Sequence, residues 1–329
     1  MKGHLLYKVK EISSESASSN WVKSNNTSLF CCPDLLNMLG YKTRFFGGYK
    51  NDELLVIWPL VETKDSFNKP PSFSYYFGPY YVFDNANDSP YKHYRNNLEV
   101  FNCLNETIEK IASKIEFCLV PDFLDLRPFQ WWNYHNDRGS KFEINLNYTA
   151  KYSFKSKISE KQLIASFRAD DKRKKIRKLI NNKSLKISSN MEFKPDDYLK
   201  FYENTLYANN AKLTFDEREA LFKLLEYSKK KFNSPVSLKI LELFKNGASN
   251  SLGFQLLLIG KNQCYAVAQS VNDEGKDCNG NIYLTYSALS YANKNSMILD
   301  LNGANSPNRA DDKHAYGASI LSYYDLKLR

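Results

Sequence analysis

The side chains best suited to chemistry in this sequence lie within its last 30 residues. Asp300 follows a short apolar run and precedes Asn302-Gly303, a pair typical of turns, so it is predicted to end a buried strand. Lys313 and His314 follow in a segment that Gly317 is predicted to end as a short helix. A carboxylate at a strand end can orient or deprotonate a nucleophile, and histidine titrates in the pH range useful for proton transfer. Asp300 and His314 are therefore the candidate catalytic residues.

Each residue of this segment also has an ordinary structural explanation. The Asp300 carboxylate could cap the turn that follows it, and His314 could be an exposed surface histidine. Lys313 is suited to binding a phosphate or a carboxylate, with a free helix-surface lysine as the alternative. Asn305 could hydrogen-bond a sugar or an amide, although turn formation explains it equally well. Tyr316 is expected to pack in the core and is retained as a candidate substrate contact.

Positive charge is concentrated in one segment of the sequence. Residues 151–186 contain 13 lysines and arginines against three acidic residues, so their net charge of +10 equals that of the whole chain. Ser159 and Gln162 match a helix capping box, and apolar residues follow at helical spacing. Arg173 and Arg177 are four residues apart and would share a helix face. The segment is predicted to be a helix that is either simply solvated or a cradle for a coenzyme diphosphate, a nucleotide-sugar diphosphate or RNA.

Candidate ligand contacts in the first half surround a charged pair in an aromatic context. Asp125 and Arg127 lie among leucine, proline, phenylalanine and tryptophan, where charged side chains are costly unless paired or used. They form either a mutual ion pair that supports the fold or a site in which Arg127 holds an anionic group. Trp131 offers a face on which a sugar ring can pack, and Tyr80 is a further candidate contact. Aromatic residues of this kind are more often part of a core.

Cysteine and histidine usage argues against a metal site. The six cysteines include no Cys-x-x-Cys pair and the four histidines are scattered, whereas a zinc site needs closely spaced ligands. We therefore expect no metal and no disulfide framework. The sequence shows no start typical of a signal peptide and no apolar run of roughly 20 residues. No membrane segment is expected, and the protein is predicted to be cytoplasmic.

Two domains, residues 1–148 and 149–329, are expected to position these side chains, because 329 residues exceed a usual single core. In the first, strands are predicted at 54–60 and 142–146 and helices at 33–39 and 98–115, with a long loop region over 62–97. In the second, the basic helix is followed by helices near 195–208 and 214–232, strands at 237–244, 252–259 and 264–271, and a helix near 281–293.

These motifs can also be compared as an ordered set. The last segment reads Asp300-x-x-Gly303, then Lys313-x-x-Tyr316-Gly317 and an aromatic strand, and upstream marks occur at Trp21, Leu54–Leu60, Tyr75–Tyr81, Asp125–Trp131 and Lys172–Lys178. This order resembles that of the FemAB-like acyltransferases of the GNAT superfamily, a family that includes peptidoglycan-bridge and BioF-type enzymes. Two positions depart from the family pattern: Asp312 stands where phenylalanine is usual, and Phe77 where glycine is frequent.

The resemblance implies an α/β (α+β) fold with two tandem GNAT-like domains, each a mixed, mostly antiparallel sheet flanked by helices. It implies an acyltransferase that uses a small-molecule acyl donor, with acyl-CoA as co-substrate and no permanently bound cofactor. The acceptor would be an amine of a cell-envelope or surface-polysaccharide precursor, such as a nucleotide-linked amino sugar. In GNAT proteins the donor's phosphates lie at a helix N-terminus, which makes Gly275 and Gly280, with Arg173 and Arg177, the candidate cofactor-binding residues. An ordinary Gly/Asn turn is the alternative for the two glycines.

Two other functions stay open. An aminoacyl-tRNA-dependent peptidoglycan bridge transferase would use the basic segment to contact tRNA, although no heptad-patterned helical arm is visible in the sequence. A non-catalytic nucleic-acid-binding protein would use the same segment, but no known nucleic-acid-binding module occurs. No DNA partner is expected.

Overall fold

The computed structural model of this chain describes residues 6–24, 27–62, 69–82, 90–112, 114–123, 125–189, 194–208, 210–230 and 234–329. Contacts divide the chain into two units. Unit 1 comprises residues 1–147 and 322–329, and unit 2 comprises residues 148–321. The division expected from the sequence differs from this one at Tyr148, which it assigned to the first domain, and in the last eight residues, which it assigned to the second.

Helices and strands alternate along much of unit 1, and four of the strands form a small sheet. Its elements are β1 (Tyr7–Ile12), α1 (Ser14–Lys23), α2 (Pro33–Met38), β2 (Thr43–Lys50), β3 (Glu53–Val61), β4 (Tyr80–Tyr81), α3 (Pro90–Ile111), β5 (Ile115–Cys118), α4 (Arg127–Gln130) and the first part of β6 (Phe142–Ser153). Helix ends follow simple capping rules. Ser13 accepts a hydrogen bond from the Ser16 backbone at the start of α1, and Pro33 opens α2, where its missing N–H is not needed.

Aromatic side chains dominate the core of unit 1. Strands β1, β2, β3 and β4 form an antiparallel sheet in that order. The Trp58 side chain of β3 is fully buried, and its ring packs edge-on against Phe117 and Phe129 at centroid distances of 4.8 and 6.1 Å. Strand β5 pairs antiparallel with Asp325–Leu328 at the C-terminus, which explains why the last residues belong to this unit.

Unit 2 contains most of the segments that carry the candidate residues. After the end of β6 its elements are α5 (Glu160–Ala165), α6 (Asp170–Asn182), β7 (Leu185–Ser188), α7 (Pro195–Tyr207), α8 (Phe215–Tyr227), β8 (Ser237–Lys245), β9 (Ser251–Ile259), β10 (Gln263–Val271), α9 (Asp273–Asp277), α10 (Gly280–Lys294), β11 (Ile298–Asp300), α11 (Pro307–Ala315) and the start of β12 (Ser319–Leu328). Gly317 follows α11 with φ +89°, and a Cβ there would lie 2.7 Å from the Ser166 carbonyl, so glycine is required at this stop.

The sheet of unit 2 is antiparallel except at one place. Its strand order is β6-β11-β10-β9-β8-β7, and only β10 and β11 run parallel. On one face, Leu284 and Leu289 of α10 join Leu257 of β9 in the main buried cluster. On the other face, the Tyr198 ring of α7 meets the Phe254 ring of β9 edge-on at 5.0 Å. Helices on both faces therefore hold the sheet, and the parallel pair is its one irregular junction.

Most predicted elements of the second half are confirmed, but two predictions were wrong. The basic segment forms two helices, α5 and α6, because the backbone N–H groups of Arg168 and Ala169 donate to the Ala315 carbonyl and leave the helical pattern. The capping box at Ser159 is confirmed. The Gly/Asn turn that was the alternative for Gly275 and Gly280 is not observed as such, because Gly275 lies in α9, which Asn272 caps, and Gly280 opens α10. In the first half, the helix predicted over 98–115 spans Pro90–Ile111 and Ile115 opens β5; parts of the predicted 62–97 loop lie outside the described residues.

None of the helices in the described part of the chain combines the length and the apolar character needed to span a membrane. No group of three or more histidine, cysteine, aspartate or glutamate side chains in these same ranges is placed to hold a metal ion. All six cysteines are free thiols.

Candidate functional site

A cavity of about 370 Å³ opens in unit 2 beside the end of β10. Elements from both faces of the sheet contribute to its wall: Gln269 contacts α10 through Asn281 and Thr285, whereas Ser270 contacts α7 through Thr205. The lining residues are Thr205, Gln269, Ser270, Val271, Lys276, Asn281, Thr285, Asp312 and Tyr316. Because consecutive residues of one strand both line it, the cavity lies at the edge of the sheet. Below it is called the slot.

The slot exists because β10 and β11 separate. Their parallel pairing covers only three residue pairs and ends at Tyr265 and Asp300. Beyond that point the chain stays with β6, since Leu301 N donates to Ala150 O at 2.8 Å, while β10 continues to Val271. A register shift between Ala266 and Ala268 marks the same place in β10. In the described residues no strand pairs with this edge of β10 after Tyr265, so an extended ligand can hydrogen-bond there.

One end of the slot has a positive electrostatic character. The first turn of α10 carries backbone N–H groups without intrahelical acceptors, and the Asn279 side chain makes no capping hydrogen bond. Asn281 of this turn and Lys276 of α9 line the cavity. The Lys276 ammonium lies 2.8 Å from the Asp273 carboxylate, whose side chain is 94% exposed, so the attraction is weak. Phosphate or carboxylate groups fit this end best.

Gly275 and Gly280 have a packing reason of their own. A Cβ at Gly275 would lie 2.7 Å from the Leu252 carbonyl oxygen, and one at Gly280 would lie 2.8 Å from the Gly275 carbonyl oxygen. The close approach that these glycines permit is therefore between α9, α10 and β9. Their expected contact with a diphosphate stays a prediction.

Asp300 is fully buried at the end of β11 and does not line the slot. Its Oδ1 accepts hydrogen bonds from the Thr149 hydroxyl at 2.6 Å and from the Asn302 backbone at 2.8 Å. The second of these bonds caps the turn that leads away from β10. The geometry therefore matches the turn-capping alternative for Asp300, and its position suits a supporting role.

Lys313 contacts the same turn. Its ammonium donates hydrogen bonds to the carbonyl oxygens of Asn302 and Gly303, the latter at 2.6 Å. Burial lowers the pKa of Lys313 to about 8, and the nearby Asp300 charge opposes that shift. The Asn302 side chain bridges the separation by donating to Ala266 O at 2.7 Å. Asp300, Asn302 and Lys313 thus form one network that fixes the turn after β11, next to the place where β10 and β11 separate.

Tyr316 reaches the slot although its side chain is only 1% exposed. The ring packs edge-on against Phe167 at 5.4 Å and lies 5.0 Å from the Lys172 ammonium. Burial raises the pKa of the Tyr316 hydroxyl, as does the charge of Asp312, while a hydrogen bond with Thr285 lowers it. The hydroxyl is therefore protonated at any physiological pH and can donate a hydrogen bond.

Lys172 and Asp312 were missed as functional candidates. The Lys172 ammonium lies 2.5 Å from Asp312 Oδ1, and Asp312 lines the slot. A signal for Asp312 was present, because this position departs from the pattern of the resembling family. Lys172 was part of the basic run, but the spacing argument selected Arg173 and Arg177 instead.

The other candidates of unit 2 lie outside the slot lining. His314 is exposed, and its Nε2 lies 2.8 Å from Arg168 Nη1. Asn305 is exposed and accepts a hydrogen bond from the Tyr148 backbone at 2.5 Å. Arg173 donates to the Phe167 carbonyl at 2.6 Å, and Arg177 is exposed. The structure does not bring these four residues to the cavity wall.

In unit 1 the charged pair takes the form of a mutual ion pair. Arg127 donates to both carboxylate oxygens of Asp125, at 2.8 and 2.9 Å, and Asp125 is 8% exposed. The guanidinium lies 5.1 Å from the Tyr94 ring centroid and 5.5 Å from that of Trp131, which is half exposed. Tyr80 is buried in β4, and its hydroxyl has no hydrogen-bond partner among the described residues.

Comparison with solved structures defines the fold as a tandem GNAT-like architecture. FemX superimposes with a TM-score of 0.62 at 13% identity over 96% of each chain. A tandem GNAT protein from the clavulanic acid biosynthesis pathway gives 0.52 at 7% identity over 98% of each chain. The C-terminal domain of a putative lysylphosphatidylglycerol synthetase from Agrobacterium fabrum gives 0.52 at 10% identity, covering 96% of this chain and 92% of that one.

The fold predicted from the motif order, that of the FemAB-like GNAT proteins, is thereby confirmed. No protein-family model matches the sequence, and no curated protein matches it either.

Proposed function

We propose that this protein is an N-acyltransferase that moves an acyl or aminoacyl group onto an amine of a cell-envelope or surface-polysaccharide precursor, such as a nucleotide-linked amino sugar. The observation that carries the proposal is the slot, where the part of β10 beyond its pairing with β11, a helix N-terminus and a buried tyrosine hydroxyl meet. The fold of the similar structures supports it, since they include a tandem GNAT protein and a lysylphosphatidylglycerol synthetase domain.

An acyl thioester matches the three features of the slot. Amide groups of an extended donor arm can hydrogen-bond to the end of β10 that lines the slot, at residues 269–271, which holds the carbonyl in line with the amine. Phosphates of the donor can lie near Lys276 and the first turn of α10. The amine lone pair attacks the thioester carbon, the C–S bond breaks, the amine loses a proton and the thiolate gains one. The Tyr316 hydroxyl lines the slot and is the group that we assign to donate a hydrogen bond to the leaving thiolate, which takes its proton from solvent.

Asp300 and Lys313 act indirectly in this proposal. Both hold the turn at Asn302 and Gly303, and this turn keeps the chain after β11 away from β10. His314 remains a candidate only if the acceptor extends over the outer side of α11, where its exposed ring pairs with Arg168.

The aminoacyl-tRNA alternative is favoured by the surface of α6 and the residues that follow it. Arg177, Lys178, Lys183 and Lys186 are exposed, whereas Lys174 and Lys175 are partly neutralised by Asp170 and Asp171. A phosphodiester backbone would bind such a cluster with strong salt dependence. A non-catalytic RNA-binding protein would use the same cluster without the slot.

Thermal unfolding with added ligands separates these functions. If the proposal holds, coenzyme A and acetyl-CoA raise the melting temperature, because a ligand at 100 times its Kd stabilises by about 2.7 kcal/mol. The Lys276→Met variant should reduce that rise, and Lys261→Met, which alters an exposed turn lysine away from the slot, should not.

An acyl-transfer assay completes the test. Release of free thiol from acetyl-CoA in the presence of amino-sugar nucleotides is the expected activity. Stabilisation by tRNA alone, lost with the Arg177→Ala and Lys178→Ala double variant, would favour the RNA-dependent functions.

A further inference from the structure

The slot carries opposite charges at two different elements. Lys276 of α9 is its lining cation, and Asp312 of α11 is its lining carboxylate. Most of the remaining polar lining is satisfied within the wall: Thr205 and Ser270 hydrogen-bond each other at 2.6 Å, and the Gln269 amide donates to the Asn281 carbonyl at 2.9 Å. The Asp312 carboxylate is therefore the strongest hydrogen-bond acceptor that the slot offers to a ligand.

Only one oxygen of the Asp312 carboxylate, Oδ1, has a hydrogen-bond partner among the described residues. Lys172 contacts Oδ1 at 2.5 Å with a side chain that is 12% exposed, whereas the Asp312 side chain is 51% exposed. No other hydrogen bond to Asp312 occurs within the described ranges, so Oδ2 is available to a ligand. The buried lysine fixes the orientation of the carboxylate without covering both oxygens.

Neighbouring charges leave this acceptor available. The Lys313 ammonium, next in sequence, is turned away to the Gly303 carbonyl at 2.6 Å. Asp171 adds negative charge near Tyr316, although Lys175 lies 3.4 Å from it. Arg309 and His314 are the remaining titratable groups of α11 with positive character, and neither lines the slot.

We infer that Asp312 binds the ammonium group of the acceptor and makes the slot selective for a primary amine over an alcohol. The bound ammonium gives one proton to solvent before its nitrogen attacks the thioester, so the carboxylate acts in binding and selection. A charge-assisted hydrogen bond to an ammonium is roughly twice as strong as a neutral one, so a carboxylate favours an amine over a hydroxyl of the same shape. The inference rests on the proposed function, because it concerns the acceptor of the same reaction. It assigns a role to the residue at which this chain departs from the pattern of the resembling family.

Ligand-observed NMR with the full-length protein tests the inference through n-butylamine and 1-butanol, which match in length and differ in charge. Butylamine should bind on the order of tenfold more tightly than butanol. Asp312→Asn should reduce butylamine binding to the level of butanol. Asp311→Asn, which neutralises the exposed neighbouring carboxylate outside the slot, should leave it unchanged.

A second variant predicts a change of opposite sign. Lys172→Met keeps the apolar stem over Tyr316 but removes the competing cation, so butylamine should bind at least about threefold more tightly. A merely structural role for the ion pair would make both variants weaken binding. Weaker binding in Lys172→Met, undiminished binding in Asp312→Asn, or no preference for butylamine over butanol would overturn the inference.

The same samples distinguish this inference from the proposed function. If butylamine binds through Asp312 but no thiol is released from acetyl-CoA or other acyl thioesters, the ammonium site stands and the acyltransferase proposal fails. If thiol is released equally by the wild type and Asp312→Asn at low amine concentration, the acyltransferase stands and the role of Asp312 fails.

Discussion

The Lys313 ammonium donates a hydrogen bond to the Gly303 carbonyl at 2.6 Å and so ties α11 to the turn after β11. This contact makes Lys313 a structural element of the slot, because the turn keeps the chain apart from β10. The bond is formed by a buried amine whose pKa burial lowers to about 8. Charge on this lysine is therefore costly, and the cost depends on pH.

The stability contribution of Lys313 should change with pH in a defined window. Since the folded-state pKa of Lys313 is about 8 and the ordinary pKa of lysine is 10.5, the unfolded chain binds more protons between these pH values, and stability rises with pH there. The free energy of unfolding of the wild type relative to Lys313→Met should increase by up to about 2 kcal/mol across that window, after allowance for solvent screening. Urea unfolding at several pH values measures it. The exposed Lys294→Met control should show no such trend; a difference that shrinks as pH rises would contradict the assignment.

Thr149 should contribute to stability through its bond to Asp300. The Thr149 hydroxyl donates to Oδ1 at 2.6 Å, and both side chains are fully buried. Thr149→Val should lower the free energy of unfolding by about 1–3 kcal/mol, because a buried carboxylate loses a donor. Thr149→Ser restores the hydroxyl and should recover most of the loss. If Val and Ser destabilise equally, methyl packing rather than the hydrogen bond is the cause.

Asp300→Asn tests whether this carboxylate acts on the turn or on the reactants. A buried, turn-capping role predicts that Asp300→Asn lowers both the melting temperature and the turnover. Thr149→Val should then show the same ratio of turnover loss to stability loss as Asp300→Asn. A direct chemical role predicts lost turnover with an unchanged melting temperature. Parallel measurement of both quantities in the two variants decides between these roles.

The sequence predicts the secondary-structure elements of this protein better than it predicts the residues of the site. Strands β8, β9 and β10 and helix α10 follow from apolar periodicity and from turns such as Asn246-Gly247, whose glycine has φ +83°. The division of the basic segment into α5 and α6 could not be predicted from such local patterns. It depends on backbone hydrogen bonds to Ala315, nearly 150 residues away. Local patterns cannot report contacts of that range.

The site shows the same limit. Asp300 was selected because strand ends often carry catalytic groups, but its oxygen is occupied by Thr149 from β6, a contact that no local pattern reveals. Tyr316 was expected to pack and was kept as a candidate substrate contact, and it both packs and lines the slot. The carboxylate that faces the slot, Asp312, was visible in the sequence only as a departure from a family pattern.

The Tyr316 hydroxyl should matter for turnover rather than for binding. Tyr316→Phe keeps the packing against Phe167 and removes the hydrogen-bond donor to the leaving thiolate, so kcat should fall by roughly 10²-fold or more while KM and the melting temperature change little. Tyr152→Phe is the matched control, because its hydroxyl contacts Ser166 outside the slot. Equal losses in both variants would indicate a general effect of removing a tyrosine hydroxyl from this unit.

A buried carboxylate on β8 should make the protein more stable in mild acid. Glu242 is 7% exposed and accepts a hydrogen bond from the Tyr198 hydroxyl. Burial raises the pKa of Glu242 to about 6 from the ordinary glutamate value of 4.5. Its favourable contribution is fully present below pH 4.5 and is lost as the pH rises through 6. Glu242→Gln keeps an acceptor for Tyr198 without the charge, so it should exceed the wild type in unfolding free energy by about 1–2 kcal/mol at pH 8 and match it near pH 4. Chemical denaturation at both pH values measures this difference, with the exposed Glu226→Gln as control. A glutamine variant that is less stable than the wild type at pH 8 would mean that the ionised carboxylate is the form that the fold prefers.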